Sequence, residues 1–291
     1  MTVPDFTTFF GVDFSGAKLA GRNIWVARCE LAGAGPSRLV LKSLDRLEDL
    51  AGTAARGPAL AHLVTLVRQS SAALWGFDFP FGLPIELFPK GHRWPKVFAF
   101  VGGYGDDAYR CGMACVRRAR KMKSHVIRKT AHHIRRLTDV EAKAPFDTFH
   151  YRIIYQTFFG LRDVIGPLRR TPGTAVLPFQ YRKLPTAVRV LVECCPSSVL
   201  KRLGLPHQNY KQPAGGPLTG KRRRTRHVIL TALADQVEMS DLFRRRVMRN
   251  PGGDALDAVL AAVGARLAVA TADHAAIAGH PRYRREGRMY V

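Results

Sequence analysis

Residues 9–16 read FFGVDFSG and residues 72–79 read AALWGFDF. Each is a short apolar run that places an aspartate, Asp13 or Asp78, at its far end. The first is stopped by Ser15-Gly16 and the second by Pro80. Runs of this length, rich in aromatic residues and bounded by turn formers, read as buried strands. Between them lie two more strand-like runs, residues 23–30 (NIWVARCE) and 38–44 (RLVLKSL), separated by turn material at 33–37. The opening therefore reads as a three-stranded antiparallel meander. Residues 47–69 then carry Leu60, Leu63, Val64 and Val67 at helical spacing. The order β-β-β-α-β places the fourth strand after a crossover helix. It predicts an α/β protein whose mixed sheet has three antiparallel strands followed by parallel ones, with helices on its faces.

Residues 90–185 interrupt that order with a Gly-rich stretch, a basic helix-like tract and Pro172-Gly173. They read as a largely helical, basic insertion, which leaves 1–89 and 186–291 as the core. Regular order resumes with a strand at 187–194 (AVRVLVEC) and a helix opened by Pro196. A Pro/Gly-rich loop at 212–220 is followed by an Arg-rich helical stretch over 221–249. The clearest helix of the chain spans 254–270, with Leu256, Val259, Leu260, Val263 and Leu267 at helical spacing.

Lys and Arg together number 46 against 22 Asp and Glu, a net charge of +24. In so basic a chain the positions of the few carboxylates are informative. Asp13, Asp78 and Glu193 each end a run that should be buried, where an ionised carboxylate is costly unless a cation or hydrogen bonds compensate it. Strand C-termini are also where α/β sheets bind ligands. Asp254 and Asp257 stand three apart at a helix start, so they point to nearly one side and suit the positive end of the helix dipole. Five carboxylates from four segments form a candidate catalytic and metal-binding set. Hard divalent cations such as Mg²⁺ or Mn²⁺ prefer such oxygen ligands, and two of them about 4 Å apart suit phosphodiester hydrolysis.

The segments GVDFSGA (11–17), GFDFPFGLP (76–84), VECCPSSVLKRLG (192–204), GGDALDAVLAA (252–262) and EGRMYV (286–291) resemble domain-of-unknown-function family 429, whose members are described as predicted nucleases of RNase H-like fold. The resemblance runs from the first strand to the terminal segment and skips residues 90–185. It implies an RNase H-like mixed sheet. It also implies that Asp13 is the first-strand metal aspartate, that Asp78 and Glu193 add ligands, and that Asp254 or Asp257 supplies the helix-borne one. Glu286 matches the pattern without an assigned role, and Phe14 stands where many relatives have a small residue.

The charge makes nucleic acid, DNA or RNA, the expected partner, because each phosphate neutralised releases counterions. Candidate phosphate contacts are Lys18, Arg117, Arg118, Arg120, Lys121, Lys123, Lys211, Arg222, Arg223 and Arg224. The expected activity is metal-dependent nuclease action; the alternative is a non-catalytic nucleic-acid-binding protein on the same fold. A third reading, an actin-like or sugar-kinase phosphate turn at Asp13–Gly16, lacks the duplicated second half that such folds need. Five cysteines, two of them adjacent, make a poor disulfide framework and point to reduced thiols in a cytoplasmic protein. No secretory leader is recognisable, and no apolar run reaches the roughly 20 residues of a membrane helix. Gly215–Lys221 spells G-x-x-x-x-G-K, but Arg222 replaces the Ser or Thr of a P-loop. Cys111 and Cys115 with His125, His132 and His133 fit a zinc site only loosely, so packing is the better reading.

Overall fold

The computed structural model describes residues 3–33, 38–123, 134–213 and 215–291, with backbone only at 122 and 123. The strands are β1 (Thr8–Asp13), β2 (Trp25–Leu31), β3 (Leu39–Arg46), β4 (Ala73–Asp78), β5 (Thr174–Val176), β6 (Arg189–Glu193) and β7 (Val237–Glu238). They form one sheet in the order β5-β6-β4-β1-β2-β3-β7. β1 pairs antiparallel with β2, and β2 with β3; β1 pairs parallel with β4, β4 with β6, and β6 with β5. This is the predicted mixed α/β sheet, antiparallel first and parallel after, and it is consistent with an RNase H-like fold.

Two short strands extend the sheet beyond the sequence reading. β7 joins β3 in parallel and lies inside the stretch expected to be one Arg-rich helix. That stretch is instead helix Gly220–Ala232, a 3₁₀ turn, β7 and helix Asp241–Arg249. The helix expected over 47–69 is likewise two, Leu47–Ala51 and Arg56–Gln69, parted where Gly52 takes a positive φ of 66°. The described residues of 90–185 are largely helical, as expected, yet they also hold β5 and share the apolar layer of the core. Phe158, Phe159, Val164 and Ile165 pack with Trp75, Phe77 and Phe79.

Side chains alternate across a strand, and here the alternation decides the layers. Phe9 and Leu74 face a layer built on helix Asp254–Thr271, whereas Val12, Trp75 and Phe77 face the layer of Arg56–Gln69 and the 154–168 helices. Helix Asp254–Thr271 lies unusually close to the sheet. Gly11 and Gly76 are register partners on β1 and β4. A Cβ added at Gly11 would sit 1.9 Å from the Ala258 carbonyl oxygen, and one at Gly76 would sit 2.4 Å from that of Ala261. The Ala-rich face of the helix (Ala258, Ala261, Ala262, Ala265) fills the slot those glycines open.

Candidate metal centre

The same alternation aims the aspartates. Asp13 and Asp78 are register partners at the ends of parallel β1 and β4. Each lies two residues beyond one of the paired glycines, so both project toward the start of helix Asp254–Thr271. That helix begins at Gly253, whose φ of 91° suits glycine, and its first turn carries Asp254 and Asp257. One oxygen each from Asp13, Asp78 and Asp257 fall within 4.8 Å of one another. Asp13 and Asp257 are buried and Asp78 is half-buried. Together they line a cleft of about 890 Å³ that Asp254, Lys211, Arg222, Arg136 and Glu193 also line.

Burial is the largest influence on each of the three carboxyls and pushes its pKa up. Asp13 is held well above the ordinary carboxylate range, with Asp257, Asp254 and Asp78 adding repulsion and Lys211 opposing it. Asp78 is pushed up to about 7 by burial and then by Asp257. Asp257 also rises, although Lys211 and Tyr210 counter the shift. Lys211 forms an ion pair with Asp257, and the Tyr210 hydroxyl donates to Asp257 Oδ1 at 3.0 Å. One lysine among three converging aspartates, with Asp254 beside them, leaves an excess of negative charge in a donor set made only of hard oxygens. That set fits a hard divalent cation.

Glu193 is not brought into this group. It pairs in register with Phe77 rather than with Asp78, so it points to the opposite face of the sheet. There it is 1% exposed, and Arg136 Nη1 donates to Oε2 at 2.7 Å while Nη2 bonds Oε1. The Phe81 amide donates to Oε2 at 2.8 Å as well. Burial raises the Glu193 pKa and Arg136 lowers it. Asp254 lies at the cleft edge, accepting from Asn250 Nδ2 at 3.4 Å, and Asp257 is the helix residue of the converging set.

The predicted phosphate contacts divide in the same way. Lys211 and Arg222 line the cleft, and Arg222 Nε donates to the Lys211 carbonyl at 2.7 Å. Arg223 and Arg224 are exposed farther along helix Gly220–Ala232, and Lys18 is exposed beyond the β1 turn. Arg117, Arg118, Arg120 and Lys121 lie on helix Ala108–Lys123 away from the lining residues. Arg118 there covers Phe100 and donates to the Leu87 carbonyl at 2.9 Å. The side chain of Lys123, and His125, His132 and His133, lie outside the described residues. Cys111 and Cys115 are buried. The G-x-x-x-x-G-K stretch forms no phosphate loop: Thr219 caps helix Gly220–Ala232 by accepting from the Arg222 amide.

Two supports gain their roles only in the fold, Arg226 and the Glu286 that matched the family pattern without a role, because most of their partners are backbone groups or residues far away in the chain. Arg226 is fully buried and donates to the carbonyls of Tyr210, Val247, Asn250 and Pro251 at 2.6–2.8 Å. It thereby ties the loop bearing Lys211 to the loop that starts the Asp257 helix. Glu286 is also fully buried and accepts from the Leu137 amide at 2.9 Å and from Arg282 Nε at 2.8 Å. It fastens the terminal segment, whose Tyr290 amide donates to the Glu193 carbonyl at 2.8 Å.

Fold and site together define an α/β protein with a buried three-aspartate centre at the strand C-termini. Residues 174–282 match the family described as Protein of unknown function (DUF429). The match covers VECCPSSVLKRLG and GGDALDAVLAA and supports the resemblance to domain-of-unknown-function family 429. No curated protein and no solved structure matches the chain. Among the described residues, no helix is long and apolar enough to cross a membrane.

Proposed function

We propose that the chain is a divalent-cation-dependent phosphodiester hydrolase acting on nucleic acid. One observation carries the reading: the oxygens of Asp13, Asp78 and Asp257 meet within 4.8 Å inside a cleft whose rim includes cationic Lys211 and Arg222. The three aspartates would hold Mg²⁺ or Mn²⁺, which supplies charge neutralisation for the reacting phosphate. Lys211 and Arg222 would contact backbone phosphate, Lys211 as a point charge and Arg222 as a planar fork. Arg136 and Glu193 would act as a rigid wall, since each satisfies the other away from water.

A second reading, a nucleic-acid-binding protein without turnover, is favoured by the Lys211–Asp257 ion pair, which already supplies the centre with one cation. A cleavage screen of labelled DNA and RNA with Mg²⁺ or Mn²⁺ separates the two. Wild type should cut, and Asp13→Asn should lose at least about a hundredfold in rate while keeping its fold and its substrate affinity. Binding without cutting by the wild type under every metal condition would favour the second reading.

A further inference from the structure

A second cleft, of about 760 Å³, lies on residues that neither the carboxylate centre nor the basic runs of the sequence include. Its wall holds Arg93, Arg169, Arg182, Lys183, Arg284 and Arg285, and no carboxylate is among the lining residues. These six cations come from four separate stretches of chain, so no sequence run reveals them. The guanidinium groups of Arg93, Arg182 and Arg284 have no hydrogen bond or ion pair among the described residues, and all three residues are exposed. Like charges gathered without counter-charge repel one another, and a bound anion relieves that repulsion.

Two residues of the same wall, His92 and Arg169, also carry a buried side-chain donor without a partner. Arg285 donates through Nε to the His92 carbonyl at 3.1 Å and through Nη2 to His92 Nδ1 at 3.3 Å. An Nδ1 that accepts leaves the imidazole proton on Nε2, and Nε2 has no partner; nor does Arg169 Nε. Buried donors without partners are uncommon in proteins. The floor is rigid: Trp94 stacks on Phe179 with ring centroids 3.9 Å apart, and Trp94 Nε1 donates to the Phe81 carbonyl at 2.8 Å.

We propose that this cleft is a second phosphate-binding groove, which holds the sugar-phosphate backbone of a nucleic-acid strand away from the carboxylate centre. Its volume exceeds what a single phosphate needs, and arginine forks spread over four stretches suit successive phosphates along a strand. The groove needs no turnover at the aspartates, so it stands whether or not the chain hydrolyses its ligand.

The test is fluorescence anisotropy on the full chain with labelled single-stranded DNA, the matching RNA and duplex DNA, over a series of salt concentrations. Arg182→Ala/Arg284→Ala is compared with a charge-matched control, Lys42→Ala/Arg110→Ala, on exposed positions outside both clefts. The groove variant should weaken binding about tenfold or more at low salt. It should also flatten the slope of log K against log salt by about 1.4 to 1.8, the loss of two phosphate contacts. The control should shift little. Equal affinities and slopes for the two variants would overturn the proposal. So would an unchanged oligonucleotide affinity in the groove variant together with lost binding of inorganic tripolyphosphate, which would assign the cleft to a small free anion. Repeating the comparison in Asp13→Asn keeps the groove and the hydrolase reading separable.

Discussion

Asp13, Asp78 and Asp257 each stand where burial makes an ionised carboxylate costly; the neighbouring aspartates add repulsion and Lys211 offsets part of it. The consequence for folding has a definite sign. Asp78 rises from an ordinary 3.8 to about 7, so the folded chain holds this proton more tightly than the unfolded chain does. Between those two pH values unfolding releases the proton, and stability falls as pH rises. With divalent cations chelated, denaturation midpoints measured across that window should therefore decline with pH. Asp78→Asn removes one of the titrating groups and should make the decline shallower. An identical slope in the two proteins would show that Asp78 titrates normally. Lys211 acts outside this window, because its raised pKa lies above the ordinary lysine range.

At the scale of elements, much was legible because strand periodicity is local. The five longer strand-like runs, the first-turn aspartates of helix Asp254–Thr271 and the antiparallel-then-parallel order follow from apolar runs and the turns between them. β5 and β7, at three and two residues, are too short to show a period. Glu193 illustrates a different limit. Ending an apolar run places a residue at the right height of the sheet, but only the pairing register, Phe77 with Glu193, shows which face it takes. Arg136 and Arg226 were illegible because their value lies in contacts made across the fold. The paired glycines are the element-level device that sets the centre, letting the Asp257 helix approach β1 and β4. Gly11→Ala would place a methyl group 1.9 Å from a helix carbonyl that cannot rotate away. Overpacking of this kind should destabilise by about 1–3 kcal/mol, read by chemical denaturation. A neutral result would mean that the helix can lift off the sheet without loss.

Across the whole molecule, the charge of +24 is unevenly placed. Among the described residues, the cations of helix Ala108–Lys123 line neither large cleft, whereas the second cleft draws its cations from scattered positions. Three aspartates concentrate negative charge at the centre of this basic protein, and Lys211 offsets part of it. On the proposed function, this concentration of charge exists to hold a divalent cation. Isothermal titration calorimetry of the full chain with Mn²⁺ and Mg²⁺, run in parallel on Asp257→Asn, tests it most directly. The wild type should bind saturably, and the folded variant should lose at least about tenfold in affinity, or about 1.4 kcal/mol. Equal binding by the two proteins, or no heat of binding to the wild type, would contradict it.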